Sequence, residues 1–322
     1  MIPAMAPDSD KDDSSARTKA AAKAERLAAK LAAKQEKVAD QVAAGPHRLA
    51  ELLTVGEGFR LADVDPQSTP GFDGKKADGA AALADGVGEL DALQERLWAQ
   101  SRAGDQRSLL LVVQGMDTSG KGGIMRHVVG SVDPQGVRHT AFKAPTAQER
   151  AHDFLWRIRR ALPQPGEIGV FDRSHYEDVL VVRVHDLVPR ATWQRRYAAI
   201  NRFEAATAKA GTTIVKVMLH ISRDEQKARL SERLDRPDKY WKYNPGDLDE
   251  RARWDAYQEA YQEALTRCST GPAPWHVVPA DRKWYARWAV QRLLVDALLE
   301  LDPQWPAAGF DVAAEQARLA SS

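Results

Sequence analysis

The chain has 322 residues, 43% of them hydrophobic and 28% charged, which is enough for one large domain or two small ones. A formal net charge of only +1 argues against a general nucleic-acid coat protein, so any anion site must come from local clustering of cations. The single cysteine, Cys268, excludes an internal disulfide and a cysteine cluster for metal, and it is consistent with a reducing cytosol.

The amino-terminal part of the chain is polar and lacks the apolar stretch of a signal peptide. No apolar run approaches the ~18–20 residues of a membrane span, so we expect a cytoplasmic protein. Residues 1–16 are predicted to be disordered, whereas residues 17–45 are rich in Ala and Lys and favour a helix. This basic helix predicts a solvated arm or an oligomer contact, with anion binding as the alternative.

The remaining chain alternates between predicted strands and helices. An extended wrap is predicted at residues 55–79 and a helix at residues 80–102. Strands are predicted at Ser108–Gln114, Val137–Phe142, Glu167–Phe171, Thr212–Ile221 and Trp275–Val278. Helices are predicted at about residues 121–132, 146–162, 176–210, 222–236, 247–268 and 282–302. The apolar first strand predicts burial on both faces, and the alternation predicts an α/β fold with a doubly wound parallel sheet.

A glycine-rich loop, GMDTSGKGG (115–123), follows the first predicted strand and precedes a predicted helix, which is the context of a P-loop. Its glycines let backbone N–H groups turn toward phosphate oxygens, and Lys121 adds a full positive charge. The Ser or Thr that normally holds Mg²⁺ after this lysine is replaced by Gly122. We therefore expect Asp117 to serve the ion directly or through water. The alternative is a strand-to-helix turn with incidental glycines.

A second acidic group, Asp172, follows the third predicted strand. P-loop enzymes place a carboxylate toward Mg²⁺ at the end of a neighbouring strand, and sites of open α/β sheets lie at that edge. Arg173 is then placed to clamp a phosphate through its planar fork. Arg183, ten residues after Arg173, is predicted to lie on the same helix face as Arg173. The alternative is an Asp that caps a helix.

A charged segment between two predicted helices, residues 229–247, alternates basic and aromatic side chains and contains two prolines. This composition is typical of a mobile lid that closes over polyanions and excludes water, which competes as a phosphoryl acceptor. The alternative is an exposed charged loop whose aromatic residues pack locally.

Four segments together resemble the family-2 polyphosphate kinases. They are GMDTSGKGG (115–123), FKAPTAQERAHDFLWR (142–157), GEIGVFDRSHYEDVLVVRVH (166–185) and DRPDKYWKYNPGDLDERARWDAYQEAYQEAL (235–265). The resemblance extends from about residue 55 to 305 and implies a three-layer P-loop fold like that of thymidylate kinase, with a helical lid. It also implies Mg²⁺-dependent, reversible phosphoryl transfer between inorganic polyphosphate and a nucleotide. The stretches HDFLWR and HYEDVLVVRVH resemble the branch that accepts both AMP and ADP.

The resemblance also implies roles for individual residues. Asp117 and Asp172 are implied to organise Mg²⁺, with Mn²⁺ as an alternative ion. Lys121 is implied to bind the transferred phosphoryl group, while Arg173 and Arg183 hold phosphates near it. The implied phosphate- and nucleotide-binding residues are Gly115, Thr118, Ser119, Gly120, Gly122, Gly123, Ser174, Glu177, Lys239 and Lys242. The candidates to line a polyphosphate groove, as basic residues flanking the core, are Lys75, Lys76 and Lys143.

The predicted organisation has three parts: a disordered and helical basic arm (1–54), a P-loop kinase domain (55–308) with its lid at about 233–253, and a tail (309–322). The implied partners are polyphosphate and AMP, ADP or ATP, with GDP and GTP as alternatives. We expect a homo-oligomer, either a dimer or a tetramer, and neither nucleic-acid nor membrane binding.

We predict direct in-line transfer without a phosphoenzyme at His175 or His185, because phosphoryl transfer needs positioning and charge neutralisation rather than a protein nucleophile. Two alternatives remain open at this point. One is an ATP-dependent nucleotide kinase of the same fold, and the other is a P-loop module that binds nucleotide without turnover. A nucleic-acid binder is disfavoured by the balanced charge and by the lack of a recognition motif.

Overall fold

Five parallel strands form one sheet in the order β2-β3-β1-β4-β5 in a computed structural model that describes residue 26 and residues 47–322. The strands are β1 (Ser108–Gly115), β2 (Val137–Ala141), β3 (Ile168–Asp172), β4 (Thr212–His220) and β5 (Trp275–Pro279). All five predicted strands and the parallel sheet are therefore confirmed. The helix predicted over residues 17–45 lies outside the described residues, apart from residue 26, which is helical.

The central strand shows why the sheet takes this form. All eight residues of β1 are buried, as its continuous apolar sequence predicts for a strand covered on both faces. Leu111 pairs with Val170 of β3 on one side and with Val215 of β4 on the other. The chain leaves β1 toward one edge of the sheet and later returns to its other side at β4. The carboxyl end of β1 is therefore a topological switch point, where open α/β sheets bind ligands.

Helices surround this sheet. They are α1 (His47–Leu53), α2 (Lys76–Asp85), α3 (Val87–Arg102), α4 (Lys121–His127), α5 (Ala147–Arg150), α6 (Trp156–Ala161), α7 (Val181–Val184), α8 (Arg190–Lys209), α9 (Arg223–Asp235), α10 (Gly246–Ala252), α11 (Trp254–Cys268), α12 (Lys283–Leu301) and α13 (Val312–Ala320). Short 3₁₀ turns lie at Leu61–Asp63, Val129–Ser131, Pro134–Gly136, His175–Asp178 and Pro237–Lys242. Helix α12 packs against α2, α3 and β4.

Several helices predicted as continuous are interrupted. The stretch 80–102 is divided at Gly86, where an added Cβ would lie 2.4 Å from Gln291 Oε1, so glycine permits the close approach of α12. The stretch 176–210 is divided into a 3₁₀ turn, α7 and α8. Pro189 precedes α8, and a proline inside a helix removes a hydrogen bond. The stretches 146–162 and 247–268 are likewise divided.

The compact unit runs from His47 to Ser322, and Leu49 and Leu53 of α1 are buried in its core. The predicted division of the chain at residue 54 stays a prediction, as do the predicted bounds of the lid. Among the described residues, no helix is both long and apolar enough to span a membrane. The cytoplasmic location and the homo-oligomeric state also stay predictions.

Candidate active site

The P-loop follows β1 in a conformation that its glycines permit. Gly115 has a φ of 151°, and a Cβ there would lie 2.7 Å from the backbone oxygen of Leu219 on β4. Gly120 has a φ of 114°, immediately before α4 begins at Lys121. Both values lie where side chains are rarely tolerated, so the two glycines are needed for the turn itself. The predicted strand–loop–helix unit is thereby confirmed.

Lys121 is folded back onto the loop. Its Nζ donates to the backbone oxygens of Gly115 at 2.7 Å and Met116 at 3.2 Å. Burial lowers the pKa of Lys121, and the nearby charge of Asp117 opposes that effect. The ammonium group is thus held at the mouth of the loop by two neutral backbone oxygens. When a phosphate binds, its negatively charged oxygens can take their place as hydrogen-bond acceptors.

Asp117 and Arg173 join the P-loop to the end of β3. A guanidinium nitrogen of Arg173 lies 3.2 Å from Asp117 Oδ1. Arg173 has a φ of 62°, which is unusual for a residue with a side chain, and its backbone N–H donates to Val113 of β1 at 3.1 Å. Such strain persists where the surrounding structure fixes the residue, and it clusters at functional sites.

The first of two cavities lies over the P-loop and has a volume of about 450 Å³. We call it the basic cavity, because three carboxylates face nine Lys or Arg side chains across it. The carboxylates are Asp117, Asp172 and Glu232. The cations are Lys121, Arg126, Arg229, Arg233, Arg236, Lys239, Lys242, Lys283 and Arg287.

These cations are held in two different ways. Arg229 is buried and structural: it donates to the backbone oxygens of Thr118 at 2.8 Å and Ala280 at 2.6 Å, and so fastens α9 to the P-loop. Arg126 and Arg287, by contrast, have no carboxylate partner among the described residues. Burial and the neighbouring Arg229 and Arg126 lower the pKa of Arg287. Neighbouring cations that repel one another and have no carboxylate partner indicate a site for an anion.

The second cavity lies on the other side of Asp117 and has a volume of about 260 Å³. We call it the acidic cavity, because four carboxylates and one cation line it. Its lining residues are Gly115, Met116, Asp117, Arg173, Glu177, Leu180, Val181, Asn244, Gly246, Asp247, Glu250, Tyr257 and Tyr261. Asp117 lines both cavities, so the two meet at its contact with Arg173.

Burial shifts the pKa values of ionisable groups in the acidic cavity. Burial raises the pKa of Glu177, while the charges of Arg173 and Lys121 act in the opposite direction. Burial also raises the pKa of the Tyr261 hydroxyl, and nearby carboxylates add to that effect. The Tyr257 hydroxyl donates to Glu250. Ionisable groups perturbed by burial and by specific partners in a cleft are typical of functional sites.

The predicted lid contributes to both cavities. Its 3₁₀ turn places Lys239 and Lys242 in the basic cavity, and the following residues place Asn244 and Asp247 in the acidic one. Arg233 connects the two sides, since it donates to the backbone oxygen of Lys242 at 2.8 Å and pairs with Asp247 at 3.1 Å. A movement of this segment would therefore change both cavities together.

Most of the predicted site residues come together. Those that line the basic cavity are Asp117, Thr118, Ser119, Gly120, Lys121, Gly122, Gly123, Asp172, Lys239 and Lys242. Those that line the acidic cavity are Gly115, Asp117, Arg173 and Glu177. Ser174 is buried behind them, where its hydroxyl accepts from Gln114 Nε2 at 3.0 Å.

Four predicted residues lie elsewhere. Arg183 lines neither cavity; it pairs with Glu263 and lies 4.9 Å from the ring centre of Trp193. Lys75 and Lys76 are exposed at the start of α2. Lys143 lines a separate cleft of about 380 Å³, with Arg138, Arg157 and Arg160 among its other lining residues. The roles predicted for these four residues remain predictions.

Several lining residues were not singled out by the sequence analysis, chiefly Arg126, Arg287 and Lys283 in the basic cavity and the two tyrosines of the acidic one. A signal for two of them existed: Lys283 and Arg287 are four residues apart and so share a helix face. Arg126 and the tyrosines stand in helices whose orientation follows only from tertiary packing.

Asp117 and Asp172 are the candidate ligands for a divalent cation at this site. Within the described part of the chain, no group of three or more His, Cys, Asp or Glu side chains is arranged to hold a metal ion. Asp117 and Asp172, however, line the same cavity, and the buried hydroxyls of Thr118 and Ser119 have no hydrogen-bond partner there. Mg²⁺ commonly takes one or two carboxylates and completes its shell with substrate phosphates and water. These residues fit that pattern.

Comparison with known proteins places this site in context. The family model described as polyphosphate kinase 2 matches residues 73–305. The AMP/ADP-polyphosphate phosphotransferase of Meiothermus ruber is 49% identical over 248 residues, which cover 77% of this chain and 91% of that protein. The ADP-polyphosphate phosphotransferase of Rhodopseudomonas palustris is 42% identical over 232 residues, with coverages of 68% and 79%.

A solved structure shows the same fold. The crystal structure of polyphosphate kinase 2 from Arthrobacter aurescens TC1 is 60% identical and superimposes with a TM-score of 0.84. It covers 85% of this chain, and the match includes 97% of that chain. The α/β fold class predicted from the alternating strands and helices is therefore confirmed both by topology and by a close structural relative.

Proposed function

This chain belongs to the polyphosphate kinase 2 family, and we propose that it moves a phosphoryl group reversibly between inorganic polyphosphate and the adenine nucleotides AMP and ADP. The membership confirms the resemblance inferred from the four sequence segments, and it makes the chain a kinase. One observation carries the proposal: two cavities of opposite charge meet at the contact between Asp117 and Arg173.

The basic cavity suits the polyphosphate donor. Polyphosphate carries negative charge along its whole length, and nine cations against three carboxylates supply the matching surface. Arg126 stands on α4 and Arg287 on α12, where the guanidinium of Arg287 lies beside Gly123. Both add positive surface next to the site where Lys121 would bind a phosphoryl group. The lid residues Lys239 and Lys242 add charge from the opposite wall.

The acidic cavity suits a nucleotide acceptor. Its single cation, Arg173, stands at the junction, where the acceptor phosphate must lie for transfer. Carboxylates farther in accept hydrogen bonds from hydroxyl and amino groups, and they repel a long polyanion. Leu180, Val181 and the two tyrosines offer apolar surface for a base. The Meiothermus ruber relative is an AMP/ADP-polyphosphate phosphotransferase and the Rhodopseudomonas palustris relative an ADP-polyphosphate phosphotransferase, which supports AMP and ADP as substrates of this chain.

Transfer then proceeds at the junction. An oxygen of the acceptor phosphate attacks the terminal phosphorus of polyphosphate, a new P–O bond forms, and the bridging P–O bond to the shortened chain breaks with its electron pair. Lys121 and Arg173 balance the charge on the transferring group from opposite sides. Asp117 and Asp172 would hold Mg²⁺, with Mn²⁺ as the alternative, and the bound ion would supply further positive charge.

No protein nucleophile is needed for this route. His175 is fully buried and contacts Glu204, while His185 contacts Glu250 at 3.0 Å, and neither lines the basic cavity. A histidine that accepts phosphate must reach the donor, so we keep the prediction of direct transfer. Detection of a phosphohistidine after incubation with polyphosphate would overturn this part of the proposal.

The proposal is tested with purified protein, Mg²⁺ and long-chain polyphosphate, offered AMP or ADP in separate reactions and followed by chromatography. ATP from ADP, and ADP followed by ATP from AMP, is the expected result. ATP from ADP alone would keep polyphosphate as donor and remove AMP as an acceptor. Transfer from ATP but none from polyphosphate would replace the proposal with an ordinary nucleotide kinase.

A further inference from the structure

A buried ion pair lies directly behind the active site and takes no part in the proposed transfer. Lys216, in the middle of β4, has its Nζ 2.6 Å from Glu204 Oε2 on α8. Their side chains are 0% and 1% exposed. Removing two charges from water this completely is unfavourable, and a well-packed apolar pair is often equally stable or more so. The presence of the pair therefore calls for a role beyond stability.

The ion pair contacts the 3₁₀ turn that follows Arg173 through side-chain hydrogen bonds. Lys216 Nζ donates to the Tyr176 hydroxyl at 2.7 Å, and that hydroxyl donates to Glu204 Oε1 at 2.8 Å. The same carboxylate oxygen lies 3.1 Å from His175 Nε2. Both ring residues belong to the 3₁₀ turn His175–Asp178. Two consecutive side chains of this turn are thus fixed to one buried carboxylate.

The cation is further immobilised by its surroundings. Lys216 Nζ donates to the backbone oxygen of Cys268 at 2.7 Å, and it lies 5.2 Å and 5.1 Å from the ring centres of Tyr176 and Trp275. Desolvated cations over aromatic rings are favourable in this geometry. Burial opposes the charged form of Glu204, but Lys216 and His175 outweigh it and lower its pKa. Burial also lowers the pKa of Lys216, against the opposing charge of Glu204. The contacts of the network connect α8, β4, the end of α11 and the start of β5.

The turn and the residues just before it supply two charged groups that line the acidic cavity. Arg173 stands two residues before His175, and Glu177 directly follows Tyr176. Arg173 holds a left-handed φ of 62°, a conformation that persists only where neighbouring contacts fix it. We propose that the Lys216–Glu204 pair is a positioning device, which holds this turn so that Arg173 and Glu177 face Asp117. The inference rests on the proposed function, because it assigns the pair to the placement of the acceptor side.

Loss of the pair should act on the acceptor side and on turnover. A displacement of about 1 Å at a reacting group lowers the rate by roughly 100-fold, even when the altered residue is remote. Most cations of the basic cavity stand on α4, α9 and α12, and the hydrogen bonds of Lys216 and Glu204 go to none of these helices. We therefore expect Lys216→Met to lower kcat by about 100-fold and to leave the KM for polyphosphate near its wild-type value.

The control is Arg292→Met, which breaks a different partly buried ion pair. Arg292 lies 2.9 Å from Glu89 and joins α12 to α3, away from the turn. A second test variant, Lys216→Met with Glu204→Gln, removes both charges and avoids leaving one uncompensated, so it keeps the question open to measurement if the single variant does not fold.

Hydrogen–deuterium exchange of the full chain, without substrate, is compared between these variants and the wild type. The amides of Val179 and Leu180, which donate to Tyr176 at 3.0 and 2.9 Å, should exchange faster in the Lys216 variants than in the control. Turnover per folded molecule should fall in the same variants alone. Equal exchange in all variants, or unchanged turnover in a folded Lys216 variant, would overturn the inference. A wild type without polyphosphate-dependent transfer would remove the proposed function, whereas the exchange comparison would still decide the positioning.

Discussion

The basic and acidic cavities differ in how their charge is produced. Cations of the basic cavity come mainly from the helices α4, α9 and α12 around the P-loop, and some of them lack a carboxylate partner in the described chain. Charges of the acidic cavity come from the P-loop, from the residues that follow β3 and from α10, and most are paired or hydrogen-bonded. An excess of unpaired charge suits a polyanion, whereas a compensated polar pocket suits a smaller substrate with hydroxyl and amino groups.

This difference means that substitutions should separate by substrate. A change in the basic cavity should alter the use of polyphosphate, and a change in the acidic cavity should alter the use of nucleotide. Only Asp117 and Arg173, where the two cavities meet, should alter the use of both substrates. The predictions below test that separation from the largest expected effect to the smallest.

Lys121→Ala removes the ammonium group that lies against Gly115 and Met116. Loss of one fixed charge at a phosphoryl group in a dry site lowers turnover by roughly 100- to 1,000-fold, and we expect an effect of that size with either nucleotide. Steady-state rates with AMP and ADP measure it. A variant with a near wild-type rate would remove the P-loop from the mechanism.

Arg126→Ala combined with Arg287→Ala removes two cations without a carboxylate partner. Charged hydrogen bonds contribute about 1.5–3 kcal/mol each, so the KM for polyphosphate should rise by at least about tenfold, while the KM for ADP stays constant. The control, Arg190→Ala with Lys209→Ala, removes two exposed cations of α8 that line neither cavity. An equal change in both KM values would contradict a donor-specific cavity.

Asp117→Asn removes a carboxylate from the junction, where it pairs with Arg173. Because this group is expected to serve the divalent ion, the Mg²⁺ concentration for half-maximal rate should rise, and the rate at saturating Mg²⁺ should recover only in part. A metal titration at fixed polyphosphate and ADP measures the shift. An unchanged titration would mean that the ion is held by other groups.

Val181→Ala removes two methyl groups from the wall of the acidic cavity. At about 0.8 kcal/mol for each buried carbon, and with Val181 only partly buried, the KM for nucleotide should rise by roughly fivefold at most, with the polyphosphate KM unchanged. Two-substrate kinetics give both values. A rise in the polyphosphate KM instead would assign this wall to the donor.

Gly122→Ser restores the hydroxyl that most P-loops carry. An added Cβ at Gly122 meets nothing within 4 Å, so the free energy of unfolding should change by no more than about 0.5 kcal/mol. Activity should remain within about twofold if the two carboxylates already serve the ion. Thermal unfolding and the metal titration together measure this, and a large gain in Mg²⁺ affinity would show that the carboxylates are poor substitutes.

The first part of the site that could be predicted from the sequence is the P-loop, whose residues are close together in the chain. The strand, the glycines and Lys121 lie in one short segment, so their geometry follows from chain connectivity. Asp172 and Arg173 were also predicted, because the ends of neighbouring parallel strands meet at one sheet edge. The longest strands, β1 and β4, could be identified from their apolar runs, whereas β2 (VRHTA) is polar and partly exposed.

Long-range packing determines the rest. Helices α9 and α12 bring Arg229 and Arg287 to the P-loop from far along the chain. The spacing of Lys283 and Arg287 places them on one helix face, but it does not show that this face lies against the P-loop. The family resemblance placed Arg183 near the transferring phosphates, and that role stays a prediction. Its position depends on long-range packing: the chain is divided where a continuous helix was predicted over residues 176–210, and Arg183 pairs with Glu263.

The most direct test of two separate cavities is the binding of AMP to protein saturated with tripolyphosphate, measured by calorimetry with EDTA present so that no transfer occurs. If AMP and tripolyphosphate bind on opposite sides of Asp117, AMP should still bind, with an affinity within a few-fold of its affinity for the protein without tripolyphosphate. Competitive displacement of AMP by tripolyphosphate would contradict the account, because it would place donor and acceptor in one cavity.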